Sequence, residues 1–145
     1  MQKQHKFCLS YRMNKKEILV ITNTEKNNSN LTQWITDQAE NEEYVLFFAS
    51  SDERAIELCH QRRYDMAVID NTDVDIKLKK LLAVLPILQK EVLLVSHNGE
   101  AAPDLHRKVV AAFNKRKLER IKRLMVLDSS KPAPQANALP PFSAN

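Results

Sequence analysis

Four short apolar runs, each followed by a stretch of helical periodicity, constrain this chain more than any other feature. Ile18 to Ile21, Tyr44 to Ala49, Met66 to Ile69 and Val92 to Val95 are rich in β-branched, aliphatic or aromatic residues and too short to be helices. They read as strands, and Ile18 to Ile21 as one covered on both faces. After the first, Leu31, Trp34, Ile35 and Ala39 recur at helical spacing, with Ser29 or Asn30 able to cap the start. After the second, Ser50 with Glu53 reads as a capping box ahead of Ala55, Ile56, Leu58 and Cys59. After the third, Leu78, Leu81, Leu82 and Leu85 share one helical face, which Pro86 is expected to disrupt. Strands that alternate with helices need right-handed crossovers. That implies a mostly parallel sheet with helices on both faces.

A chain of 145 residues is long enough for one domain with its own core. Its single glycine, Gly99, excludes dinucleotide and P-loop fingerprints, whose loops need several residues that let backbone approach phosphate. No apolar run approaches the roughly 18 residues of a membrane helix, and no apolar leader opens the chain, so the expectation is a cytoplasmic protein without a membrane partner. Cys8 and Cys59 suggest neither a disulfide framework nor a zinc cage, and the four histidines lack ligand spacing. No metal and no cofactor is expected. Residues 1–14 show no period and read as a disordered arm, with Met13-Asn14-Lys15-Lys16 resembling an ordinary translation start. Residues 128–145, which hold most of the prolines, read as a disordered tail.

Beyond Pro103 the pattern is less regular. Leu105, Val109, Ala112 and Phe113 form one helical stripe, but Leu118, Ile121, Leu124 and Met125 form another, rotated by roughly a third of a turn. One straight helix cannot bury both stripes against one surface. Three outcomes are open: a break near Asn114, a second half that meets something other than the domain core, or a fifth strand over Leu124 to Leu127. From Asp104 to Leu127 the chain carries eight Lys or Arg against two acids. Arg107, Lys115, Arg116, Lys117, Arg120 and Arg123 are therefore candidate contacts for nucleic-acid phosphates. Phe113 is the segment's only aromatic residue, and no winged or helix-turn-helix pattern follows. A partner protein, or a homodimer, on the stripe of Leu118, Ile121, Leu124 and Met125 is the preferred expectation.

The stretch from Ser51 to Asp70, Ser-Asp-Glu-Arg-Ala-Ile-Glu-Leu-Cys-His-Gln-Arg-Arg-Tyr-Asp-Met-Ala-Val-Ile-Asp, resembles the centre of a receiver (CheY-like) domain of two-component response regulators. Met13 to Thr24 is similar to the family's first strand, and Glu91 to Ser96 to its fourth. The resemblance covers roughly Lys15 to His97 and fades after Gly99. It implies a three-layer, flavodoxin-like α/β domain over residues 15–127, with four or five parallel strands. It also implies that Asp70 stands where the family has its phosphoacceptor and Ser96 where it has a hydroxyl residue. Where the family carries its Mg²⁺-binding acids, this chain has Thr22 and Asn23. The Met-Pro and glycine usual after the phosphoacceptor are replaced by Asn71-Thr72-Asp73-Val74-Asp75, and Lys131-Pro132 comes too late to stand for the family's lysine-proline pair. Mg²⁺ demands near-octahedral oxygen ligands, so one carboxylate in place of a cluster binds it weakly, and charge on a transferred phosphoryl group then goes largely uncompensated. Ser96-His97 and Cys59-His60 are no hydrolase pairs, because neighbours along a strand or a helix diverge. The expectation is a bacterial pseudo-receiver, a non-enzymatic signalling module working through protein contacts. A phosphorylatable receiver using Asp70 and a nucleic-acid binder are the rivals.

Overall fold

The structure, a computed structural model, describes residues 15–23 and 29–130. Its elements in chain order are β1 (Lys16–Ile21), α1 (Ser29–Ala39), β2 (Tyr44–Ala49), α2 (Asp52–Gln61), β3 (Met66–Asp70), α3 (Leu78–Leu88), β4 (Leu93–His97) and α4 (Ala102–Ser130). All four strands are parallel, in the order β2-β1-β3-β4. This is the three-layer α/β arrangement of flavodoxin-like and CheY-like folds.

Side chains alternate across a strand, so each strand supplies two cores. On one face Leu19, Ile21, Ala49, Ala67 and Ile69 pack with Ala55 and Cys59 of α2 and Leu81 and Leu85 of α3. The alternate residues Ile18, Val20, Met66 and Val68 are just as buried and belong to the opposite face, as are Leu31 and Trp34 of α1 and Leu105 and Val109 at the start of α4. There the indole Nε1 of Trp34 donates to Nδ1 of His106 at 3.4 Å, and the His106 ring meets Tyr44 edge-on, with centroids 6.2 Å apart. Burial of each such aliphatic side chain is worth about 1.5–3 kcal/mol. The two central strands, β1 and β3, are apolar over most of their length because helices cover both of their faces.

Local details differ from expectation in four places. β4 starts at Leu93, whose amide donates to the Asp65 carbonyl at 3.0 Å, and its pairing with β3 runs from Met66↔Leu93 to Asp70↔His97. Strand β4 therefore reaches past Val95 to His97, while β3 ends at Asp70 as expected. The cap of α2 is Ser51, not Ser50: its Oγ accepts from the Arg54 amide at 3.1 Å, while Glu53 faces Lys80 at 3.3 Å. Pro86 does not end α3. It lies close to the helix's end, where the missing N–H costs one bond, and the Gln89 amide still reaches the Leu85 carbonyl at 2.8 Å. Finally, α4 neither breaks at Asn114 nor gives way to a strand over Leu124 to Leu127, and residues 128–130, expected in the tail, belong to it.

By its contacts the chain divides into two compact units, 1–109 and 110–145, and the division falls within α4. The first unit holds the sheet. In the second, Leu118, Ile121, Leu124, Met125 and Val126 are exposed. Residues 1–14, including Cys8, and residues 131–145, including Lys131-Pro132, lie outside the described residues. Among the described residues, no helix is long and apolar enough to cross a membrane.

Candidate functional site

The parallel register places three polar side chains in a row across the carboxyl end of the sheet. Ile21 pairs with Ile69, so Thr22 follows β1 beside the Asp70 that ends β3, and Asp70 pairs with His97 at the end of β4. All three share the parity of Val20, Val68 and Val95 and are buried, with Asp70 only 1% exposed and His97 fully enclosed. A buried charge is tolerated when it is paired and hydrogen-bonded, and this one is both. The Thr22 hydroxyl donates to Asp70 Oδ2 at 2.8 Å, the Thr72 amide donates to Oδ1 at 3.0 Å, and the Thr72 hydroxyl also donates to Oδ1. Nδ1 of His97 stands 3.9 Å from the same Oδ1.

The other ring nitrogen settles the proton inventory of that histidine. Nε2 lies 2.9 Å from the Glu100 carbonyl oxygen, which can only accept, so Nε2 carries a proton. A neutral ring would then aim the Nδ1 lone pair at a carboxylate. The imidazolium avoids this by placing a proton there as well. Burial by itself favours the neutral ring, yet the Asp70 carboxylate near Nδ1 and the hydrogen bond to the Glu100 carbonyl outweigh it and raise the His97 pKa above its ordinary 6.5. Burial likewise acts to raise the Asp70 pKa, but the nearby His97 ring and hydrogen bonds from Thr72 and Thr22 bring it down to about 2. Below that raised pKa the outcome is a buried Asp70–His97 ion pair.

The loops above the row are tied to one another. The Asn71 amide donates to the His97 carbonyl at 2.9 Å, and the Asn71 side chain donates to that of Asn98 at 2.8 Å. Gly99 has φ 93°, a value that favours glycine, and its carbonyl accepts from Asn30 of α1 at 2.9 Å. Lys108 of α4 donates to the Ser96 carbonyl and forms an ion pair with Glu100. Burial acts to raise the Glu100 pKa, but the Lys108 ammonium holds it down at about 2. Ser96 itself is half-buried and accepts from Asn98 Nδ2 at 3.3 Å, and Asn23 is half-buried beside Thr22.

The residues do not fit Mg²⁺. After β1, Thr22 turns its hydroxyl proton toward Asp70, and across from the carboxylate sits the His97 ring instead of an oxygen ligand. Among the described residues, no three His, Cys, Asp or Glu side chains are grouped so that they could hold a metal ion.

Of the residues singled out from sequence, the sheet end brings together Thr22 and Asp70, with Ser96 next to His97. Arg107 is in ion-pair contact with Asp104, and Lys115, Arg116, Lys117, Arg120 and Arg123 lie in the second unit. Sequence reasoning missed His97 as the partner of Asp70. The available signal was the shared position of both residues at the ends of adjacent parallel strands. It also missed Thr72, although Asp-x-Thr is a pattern in which the carboxylate accepts from the backbone two residues on. No protein-family model matches the chain, and neither a curated protein nor a solved structure matches it.

Proposed function

We propose that this protein is a pseudo-receiver, a non-enzymatic module of cytoplasmic bacterial signalling that works through protein contacts and not through phosphorylation. One observation carries the reading. The Asp70 carboxylate, at the position of a receiver's phosphoacceptor, is 1% exposed and bound by Thr22, Thr72 and His97. A nucleophile must present a lone pair to the incoming phosphorus, roughly 3–3.5 Å away and in line. Both oxygens of Asp70 instead accept hydrogen bonds, from Thr22 and Thr72, which cannot leave without exposing a buried charge. Among the described residues the site also lacks the cluster of oxygen ligands that would assemble Mg²⁺ and offset charge on the phosphoryl group. While His97 is protonated an ion pair stands where the family performs its chemistry, and together with the Thr22 hydroxyl it ties the ends of β1, β3 and β4 to one another.

Incubation of the full chain with acetyl phosphate and Mg²⁺, followed by intact mass measurement, tests this. The mass should stay that of the unmodified chain. A phosphoryl adduct that disappears in Asp70→Asn would establish the rival, a working receiver.

A further inference from the structure

We infer that the exposed seam on the second part of α4 docks an acidic amphipathic helix of a partner protein. The inference rests on the reading above that the protein works through contacts, and it names the partner's chemistry.

Leu118 and Met125 are seven residues apart and Ile121 lies three beyond Leu118, the spacing of the two inward positions of a heptad. These side chains are exposed, at 57%, 61% and 42%, and Leu124 beside them is 63% exposed. Ala111 and Asn114, each seven residues earlier than a seam residue, continue the same line and are also exposed. An apolar line on an exposed helix requires a cover.

The charges along its margins select the cover. Lys115 and Lys122 are seven apart on one margin, and Lys117 precedes Leu124 by seven on the other. No acid occupies either margin from Lys115 to Leu124; Glu119 points to the far side with Arg116 and Arg123. A second copy is therefore disfavoured. In a parallel pair Lys117 would meet Lys122 of the other copy, and in an antiparallel pair Lys115 would meet Lys122. Like charges across such a seam repel. The chain's own residues 131–145 contain one lysine and no acid, so they do not complement the margins either. A nucleic acid would engage the arginines and leave the apolar line wet. An anionic membrane surface suits helices with a broad apolar face and aromatic residues, and here the line is narrow and carries no aromatic residue. A helix with leucine or isoleucine at its inward positions and glutamate along both margins satisfies the apolar and the charged features together.

The test uses the full chain and a synthetic helix of about four heptads with Leu and Ile inward and Glu on both margins, followed by fluorescence anisotropy. A peptide of the same core with Lys margins is the control. The Glu helix should bind and weaken as salt rises, and the Lys helix should not bind. Leu118→Asp combined with Ile121→Asp should reduce binding at least tenfold. Lys115→Glu, Lys117→Glu and Lys122→Glu together should abolish binding of the Glu helix and create binding of the Lys helix, a swap that unfolding cannot mimic. The inference is overturned by equal binding of both peptides, by no binding of either, or by self-association lost in the Leu118/Ile121 variant. It is also overturned if DNA, or vesicles containing phosphatidylserine, bind through these residues while the Glu helix does not. Each measurement is made on protein never exposed to a phosphodonor. An adduct on Asp70 would thus defeat the pseudo-receiver reading without touching this result, and the converse holds.

Discussion

At the position of Asp70 an acid that water cannot reach survives because four groups neutralise or solvate it: two hydroxyls, one backbone amide and one imidazolium. Removal of one partner of a buried ion pair is costly because the other charge stays behind. His97→Ala should lower unfolding free energy by about 3 kcal/mol, measured by urea titration with Trp34, the single tryptophan, as reporter. The pH dependence has two limbs of opposite origin. Asp70 has a folded pKa depressed from 3.8 to about 2, so its stabilisation is complete above 3.8 and is lost as pH falls toward 2. The His97 pKa is raised, so its stabilisation is complete below 6.5 and is lost as pH climbs through the higher folded value. Glu100 and Asp70 are the acids that face His97, while Lys108 of α4 neutralises Glu100. Stability should therefore be highest between pH 4 and 6.5 and decline on the alkaline side. His97→Gln should remove that alkaline decline, and an unchanged alkaline limb would mean the imidazolium is not part of the fold's balance.

Among the elements, α2 shows how a one-residue shift in a boundary reassigns a role. Ser50 and Ser51 are adjacent hydroxyls and either can begin a helix, so composition alone does not choose between them. Tertiary pairing decides: Ala49 is the last residue of β2 paired with β1, and the first helical residue, Asp52, is buried where it accepts from the Lys77 amide at 3.0 Å. That leaves Ser51 as the extended residue between strand and helix. Ser51→Ala should cost about 1 kcal/mol, whereas Ser50→Ala should leave the urea midpoint unchanged. Equal effects would restore the capping box. The central strands were legible because a strand covered on both faces must be apolar over most of its length. The end of β4 was not, because polar Ser96 and His97 continue it only by virtue of their pairing with Ile69 and Asp70.

Over the whole molecule, charge and apolar surface are distributed unevenly. The eight Lys and Arg against two acids between Asp104 and Leu127 sit on a chain whose remainder has 16 acids against 14 bases, and the exposed apolar line runs through the basic part. A surface kept for a partner contributes little to folding. Leu118→Asp with Ile121→Asp should therefore leave stability within about 1 kcal/mol of the parent, in contrast to the loss expected at His97. A larger loss would mean these residues are part of a core. By itself the sequence determined the alternation of strand and helix, the parallel sheet, the position of Asp70 and the presence of two helical stripes out of phase, since each depends on spacing along a few consecutive residues. Only the tertiary structure decided that Asp70 is held by Thr22 and His97, 48 and 27 residues away, and that the second stripe stays on a continuous helix. The first depends on which strands become neighbours and in what register, the second on how far a helix outlasts its own domain, and neither leaves a trace in local periodicity.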